Sequence, residues 1–154
     1  MKVYFAGPLF TVYERGFIAE CAAQLRGAGF GVFVPHEKGL ALDTTITAQW
    51  IFAKDWAALS EANALLAVLD GPAIDDGTAC EIGMFYALMR DDPEKKGIVG
   101  LVSDLRRTRD AERDGEARGL NLFVAGCIDA AGQICTSLDD AQAVLEGWRQ
   151  ASTG

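Results

Sequence analysis

Ala64-Leu-Leu-Ala-Val-Leu69, followed at once by Asp70-Gly-Pro-Ala-Ile-Asp-Asp-Gly-Thr-Ala-Cys-Glu-Ile-Gly83, is the stretch from which the fold can be read. An unbroken apolar run with no polar alternation suits a strand covered on both faces, as in a parallel sheet. Asp70-Gly71-Pro72 ends the run, because these residue types favour turns. From Thr78 to Arg90, Ile82, Phe85, Tyr86 and Met89 fall at helical core spacing, which predicts a helix. A strand, a turn and a helix make the first half of a βαβ unit.

The same alternation continues in both directions. Val3 to Ala6 is a short apolar strand ended by Gly7-Pro8. Tyr13 to Ala28 carries Phe17, Ile18, Cys21, Ala22, Leu25 and Ala28 at spacings of three and four, a helix closed by Gly27 and Gly29. Gly31 to Val34 is a second strand, stopped by Pro35. Thr44 to Asn63 reads as a helix through Ile46, Trp50, Ile51, Trp56, Leu59 and Ala62, with room for a kink near Lys54-Asp55. Gly97 to Val102 is expected as the fourth strand and Leu122 to Cys127 as the fifth. Ser137 to Gln150 closes the chain as a helix capped by Ser137, with Asp139 and Asp140 in its first turn. Strands alternating with helices predict an α/β fold: a single domain, residues 1–154, with a flavodoxin-like, doubly wound, five-stranded parallel sheet flanked by helices. Ligands in such folds sit beyond the carboxyl ends of the strands. Three places qualify: Gly7 to Thr11, Asp70 to Glu81, and the loop after Val102.

Bulk properties narrow the function. The chain has 154 residues, 50% of them apolar, and a net charge of -8. Disorder is expected only from Ala151 to Gly154. An acidic surface repels phosphate backbones, so no nucleic-acid partner is expected, while a small neutral ligand is indifferent to net charge. No apolar run reaches membrane-spanning length, and Val3 to Ala6 is too short for a signal peptide, so no membrane partner is expected and the reading is cytoplasmic. Cys21, Cys80, Cys127 and Cys135 lack CxxC spacing, and there is one histidine, which argues against zinc and for reduced thiols. No phosphate-loop or dinucleotide fingerprint occurs, so no cofactor is expected.

The chemistry-bearing residues have two readings each. Asp70, Asp75, Asp76 and Glu81 lie between a buried strand and a helix. As chemistry, Glu81 is a carboxylate kept ionised in the first helical turn by the helix dipole, fit to attack an anomeric carbon. As structure, Asp76-Gly77 is a turn, Asp76 or Thr78 an N-cap, and Thr78 to Glu81 a capping box. Asp55 is either a functional carboxylate or a partner of Lys54. Tyr4 is either functional or a core tyrosine with a satisfied hydroxyl. His36 reads as a loop residue. Arg106 to Arg118 reads as a solvated loop whose place after the fourth strand also suits a lid.

Taken together the segments resemble the nucleoside 2-deoxyribosyltransferases, from residue 3 to about residue 126. The resemblance is carried by Tyr4-Phe-Ala-Gly-Pro-Leu-Phe10, Glu14-Arg15-Gly-Phe17, Gly29-Phe-Gly-Val-Phe-Val-Pro35 and Ile51-Phe-Ala-Lys-Asp55. It continues through Ala67-Val-Leu-Asp-Gly-Pro72, Asp75-Asp-Gly-Thr-Ala-Cys-Glu-Ile-Gly83, Ser103-Asp-Leu-Arg106 and Gly119-Leu-Asn-Leu122. The Asp75 to Gly83 segment is the most specific of them. The resemblance implies that Glu81 is the nucleophile and that Tyr4 orients it. It implies that Asp75 and Asp55 face the nucleobase, with Asp75 assisting proton transfer. Asn121 matches an asparagine that reaches the sugar 5'-hydroxyl from a neighbouring subunit. Phe10 belongs to the apolar wall, and Gly7 and Gly77 to the substrate site. The implied partners are 2'-deoxynucleosides and free nucleobases, and the implied assembly is a homo-oligomer whose neighbouring subunits complete the sites.

These residue types suit base exchange. A carboxylate captures C1' through an oxocarbenium-like state, a second carboxyl protonates the departing base, and an incoming base displaces the ester with net retention. Each proton-transfer role contributes roughly 10²- to 10⁴-fold. Two alternatives share the fold. A nucleoside or nucleoside 5'-monophosphate N-glycosidase would use water as acceptor, and the monophosphate form would need an anion pocket where this chain has apolar Gly7-Pro8-Leu9-Phe10. A non-catalytic nucleotide-sensing module would have no use for a nucleophile beneath the sugar.

Overall fold

A computed structural model describes residues 1–37, 46–104 and 119–151. In chain order the elements are β1 (Lys2–Ala6), α1 (Val12–Gly27), β2 (Gly31–Phe33), α2 (Ala48–Glu61), β3 (Ala64–Val68), α3 (Asp76–Leu88), β4 (Gly97–Leu101), α4 (Leu122–Asp129), β5 (Gly132–Cys135) and α5 (Leu138–Ala151). The five strands form one parallel sheet in the order β2-β1-β3-β4-β5, the flavodoxin-like order expected. Val3 pairs with Ala64, and Ala64 with Gly97, so β3 sits at the centre.

Strand pleating sorts the core into two layers. Val3, Phe5, Ala64, Leu66 and Val68 face one side, where they meet Ile18 and Leu25 of α1 and Leu145 of α5. Tyr4, Ala6, Leu65 and Ala67 face the other, against Leu59 of α2, Ile82 and Phe85 of α3 and Ile128 of α4. Every residue of β3 is buried, which is why its sequence shows no alternation. Burying a side chain of this size removes about 1.5–3 kcal/mol of exposure cost, so the central strand anchors both layers.

The helix ends follow local chemistry. Thr11 and Glu14 form a reciprocal capping box that opens α1, and Gly29, at φ 87°, turns the chain after it. Thr47 caps α2 by accepting from Trp50 N, and α2 runs unbroken through Lys54-Asp55, where the sequence left room for a kink. Thr44, Arg106 to Arg118 and the chain end past Ala151 lie outside the described residues; Ala151 itself ends α5. Ser137 Oγ accepts from Asp140 N at 3.1 Å, the cap expected for α5.

Two readings need correction. Leu122 to Cys127 is not a strand but the body of α4. A short apolar run has no decisive period, and here Asn121 settles the matter by accepting from Phe123 N and Val124 N and starting a helix. The fifth strand is Gly132–Cys135, an edge strand whose exposed Gly132 and Gln133 give it no apolar signature. The second correction concerns α3, which begins at Asp76 rather than Thr78. Asp75 Oδ2 accepts from Thr78 N at 2.9 Å, so Asp75 is the cap and the Thr78–Glu81 box does not form. No helix among the described residues is long and apolar enough to cross a membrane.

Candidate active site

The strand order reverses direction between β1 and β3, and a cleft opens beyond their carboxyl ends, where ligands bind in open α/β sheets. It has a volume of about 430 Å³ and is lined by Gly7 and Phe10 after β1, Asp55 of α2, and Asp75, Gly77 and Glu81 around the start of α3. Leu9, Trp50 and Ile51 add apolar walls, while Pro35, His36 and Lys54 close another side. A flat apolar ligand edged with polar atoms fits such a lining. Seven of the eight sequence-derived site residues meet here: six line the cleft and Tyr4 touches Glu81 from below.

Glu81 is the sixth residue of α3, two residues deeper than the sequence reading placed it. The dipole of the first turn therefore does not govern it. Burial pushes its carboxyl up to about 7; the Tyr4 hydrogen bond opposes this, and the charges of Asp55 and Asp75 add to the rise. The expectation of a dipole-ionised carboxylate is corrected accordingly. Tyr4 OH donates to Glu81 Oε1 at 2.5 Å, and Oε2 makes no hydrogen bond to a described residue. Tyr4 is fully buried and stacks on Phe33 at 5.3 Å between ring centroids. Burial, then the Glu81 charge, pushes the phenol far above its ordinary value, so Tyr4 stays a donor.

Asp75 has two tasks. Its Oδ2 accepts from Thr78 N and from Thr78 Oγ1, and its position on the cleft wall exposes it to a ligand. Gly77 keeps this corner open: a Cβ there would lie 3.2 Å from Asp75 Oδ2. Gly7 permits close packing, since a Cβ would meet Ile18 Cδ1 at 2.8 Å. Asp55 pairs with Lys54 at 3.1 Å, as its structural reading held, yet it also lines the cleft. Burial raises the Asp55 carboxyl, and Lys54 opposes the rise.

The remaining carboxylates of the Asp70 to Glu81 segment are structural. Asp70 clamps the end of β4 by accepting from Ser103 N, Ser103 Oγ and Asp104 N. Asp76 occupies the first turn of α3 and accepts from Gly77 N. Asn121 does not line the cleft; it caps α4 beside the exposed Leu122 and Phe123. Phe10, 79% exposed, sits at the cleft mouth on a loop held by two neighbours. Arg15 donates to Leu9 O and Phe10 O, and Glu14 accepts from Phe10 N and Thr11 N. Sequence reading missed Leu9, Trp50, Lys54 and His36 as cleft residues. The available signal was that Leu9 and Lys54 lie inside matched segments and that Trp50 and His36 flank them.

The family model described as nucleoside 2-deoxyribosyltransferase matches residues 3–142. No curated protein matches significantly. Among solved structures, a conserved protein from Enterococcus faecalis V583 superposes with a TM-score of 0.77 at 27% identity, covering 95% of this chain and 97% of that one. A 2-deoxyribosyltransferase from Bacillus psychrosaccharolyticus gives 0.67 at 21% identity, covering 92% and 90%. A 2-desoxiribosyltransferase from Leishmania mexicana gives 0.57 at 23% identity, covering 80% and 84%. The last two are likenesses of fold. With a buried glutamate held by a tyrosine in a cleft at the strand switch point, and a family match over nearly its whole length, the chain belongs to the nucleoside 2-deoxyribosyltransferase family.

Proposed function

We propose that the protein exchanges the nucleobase of 2'-deoxynucleosides through a covalent deoxyribosyl-Glu81 intermediate. The observation that carries this is the Tyr4–Glu81 hydrogen bond at 2.5 Å, which fixes one carboxylate oxygen of a residue lining the cleft and leaves the other unbonded among the described residues. In the forward step Glu81 Oε2 bonds to C1' while the C1'–N bond breaks. The electron pair of that bond leaves with the base, and a base-side carboxyl, Asp75 with Asp55 beside it, supplies its proton. In the second step an incoming base nitrogen attacks C1' and gives its proton to the base-side carboxylate, the ester bond breaks and Glu81 regains its charge. Trp50, Leu9 and Phe10 offer apolar surface to a base. Three carboxylates against one lysine on the described walls disfavour a 5'-phosphate, so the substrate is the unphosphorylated nucleoside.

The assembly we infer is a homo-oligomer. A second hollow of about 400 Å³ runs from Asp55 and Glu81 to Phe52, Trp56 and Met84. Phe52 and Trp56 on this face are exposed, as are Leu122 and Phe123 of α4. In such an assembly Asn121 of a neighbouring copy would take the role that the family resemblance implies, reaching the sugar 5'-hydroxyl. Four free cysteines suit a reducing compartment, and the reaction suits nucleoside salvage in the cytoplasm.

The test is intact-protein mass after brief mixing with deoxyinosine, with and without adenine. A deoxyribosyl mass mapping to Glu81, lost in Glu81→Ala and discharged by adenine to deoxyadenosine, is expected. Free hypoxanthine and deoxyribose with no deoxyadenosine would make it a hydrolase. Release of no base from any nucleoside would leave a binding module.

A further inference from the structure

Lys54, on α2, joins three features of the cleft wall. Its Nζ donates to Pro35 O at 2.5 Å, lies 3.1 Å from Asp55 Oδ1, and stands 5.6 Å from the centroid of the Trp50 ring. It is the only Lys or Arg among the described residues lining the cleft, which also holds Asp55, Asp75 and Glu81. The same side chain borders a separate hollow of about 370 Å³ beside Phe33 and Ala58, so it stands between the two spaces.

We propose that Lys54 is a positioning residue of the transfer reaction: anchored on Pro35 O, its ammonium group holds the Asp55 carboxylate in place and offsets the charge of the three carboxylates sharing the cleft. This rests on reading Glu81 as nucleophile and Asp55 as a base-side group. Asp55 Oδ1 is buried, and among the described residues its charge has Lys54 Nζ at 3.1 Å as its partner, so without Lys54 it would be an uncompensated buried charge. The cost would be relieved by protonation, and a protonated Asp55 presents a donor where the site now presents an acceptor. The Pro35 anchor also ties the His36 turn to α2, so one side chain sets both the position of a carboxylate and the place of a wall.

The electrostatics agree in direction. Burial raises Asp55, and both the hydrogen bond and the charge of Lys54 lower it. Burial, Asp55 and Asp75 raise Glu81, while Tyr4 and Lys54 lower it. The other titratable groups around Asp55 are Tyr4 from β1, Cys80 from α3 and His36 from the turn after β2, and none carries a fixed positive charge. Removing Lys54 therefore raises both carboxyls, and the nucleophile ionises only at higher pH.

The experiment compares the full chain with Lys54→Met, Lys54→Gln and Lys54→Arg. Lys54→Gln keeps a donor for Pro35 O and guards against loss of fold in Lys54→Met. The pH profile of kcat/KM is measured for deoxyinosine with adenine, and the Asp55 and Glu81 carboxyls are titrated by ¹³C NMR without substrate. In the neutral variants the rising limb should move to higher pH, with roughly tenfold loss near pH 6 and recovery near pH 9. Both carboxyl titrations should move the same way, and Lys54→Arg should restore them. A uniform loss at every pH with unmoved carboxyl titrations overturns the proposal and leaves Lys54 a fold residue. If the unmodified protein exchanges no base, the transferase reading fails, yet the carboxyl titrations still decide whether Lys54 sets the charge of this cleft.

Discussion

Glu81 meets opposing demands. A nucleophile must be ionised, yet burial disfavours charge and raises its carboxyl to about 7. Its folded value exceeds its unfolded one, so the linkage sign follows. Stability from the protonated form is full below the unfolded value and is lost as pH rises through about 7. Glu81→Gln should therefore match the parent in urea unfolding near pH 4 and gain on the order of 2–3 kcal/mol near pH 8. The same variant should lose on the order of 10⁴-fold or more in turnover. Equal unfolding midpoints at both pH values would mean that the folded chain does not strain this carboxyl. Activity should rise with pH through about 7 as the carboxylate forms.

At the scale of elements, α3 carries cap and chemistry in adjacent turns. Asp75→Asn keeps an acceptor for Thr78 N, whereas Asp75→Ala removes it and should cost about 1 kcal/mol of stability. Both should slow base departure by roughly 10²-fold. Thermal unfolding and turnover, measured side by side, separate the two tasks; wild-type turnover of every base by Asp75→Asn would remove Asp75 from the proton transfer. The core of β3 and the body of α3 were legible because an unbroken apolar run and a helical spacing have few alternatives at those lengths. The start of α3 was read two residues late, because Asp75, Asp76 and Thr78 are all good caps and only the folded turn shows which oxygen reaches Thr78 N. For α4 the failure runs the other way. Leu-Phe-Val-Ala-Gly-Cys has strand-like composition, and the helix is decided by Asn121 and by burial of Ala125 and Ile128 one turn apart.

For the whole molecule, the exposed aromatic pair on α2, Phe52 and Trp56, is a surface feature that bears on behaviour in solution. Phe52→Glu places a charge on it, stacked originally against Trp56 at 6.2 Å between centroids. If the proposed homo-oligomer forms through this face, the substitution should weaken it by roughly tenfold or more in sedimentation velocity, and lower turnover in parallel where neighbouring copies complete the sites. Unchanged sedimentation would remove this face as the contact. The cleft was half legible from the sequence. Glu81, Asp75, Asp55 and Tyr4 sit in recognisable segments, but Trp50 and His36 flank such segments and reach the cleft from α2 and the turn after β2, and Lys54 was read only as a partner of Asp55. Their meeting is a product of strand order, which local spacing does not encode.

The pleat of β1 has a consequence for inheritance rather than for catalysis. Tyr4 and Ala6 point to one layer, Val3 and Phe5 to the other. Losing or gaining a single codon between Lys2 and Tyr4 would change the parity of the strand, swinging the phenol into the layer of α1 and α5 and a phenylalanine toward Glu81. Point substitutions in β1 can be graded from mild to severe, but a one-residue frame slip along it would be all-or-none. Lineages of this fold should therefore vary in length at their turns while keeping the count of residues in this strand fixed.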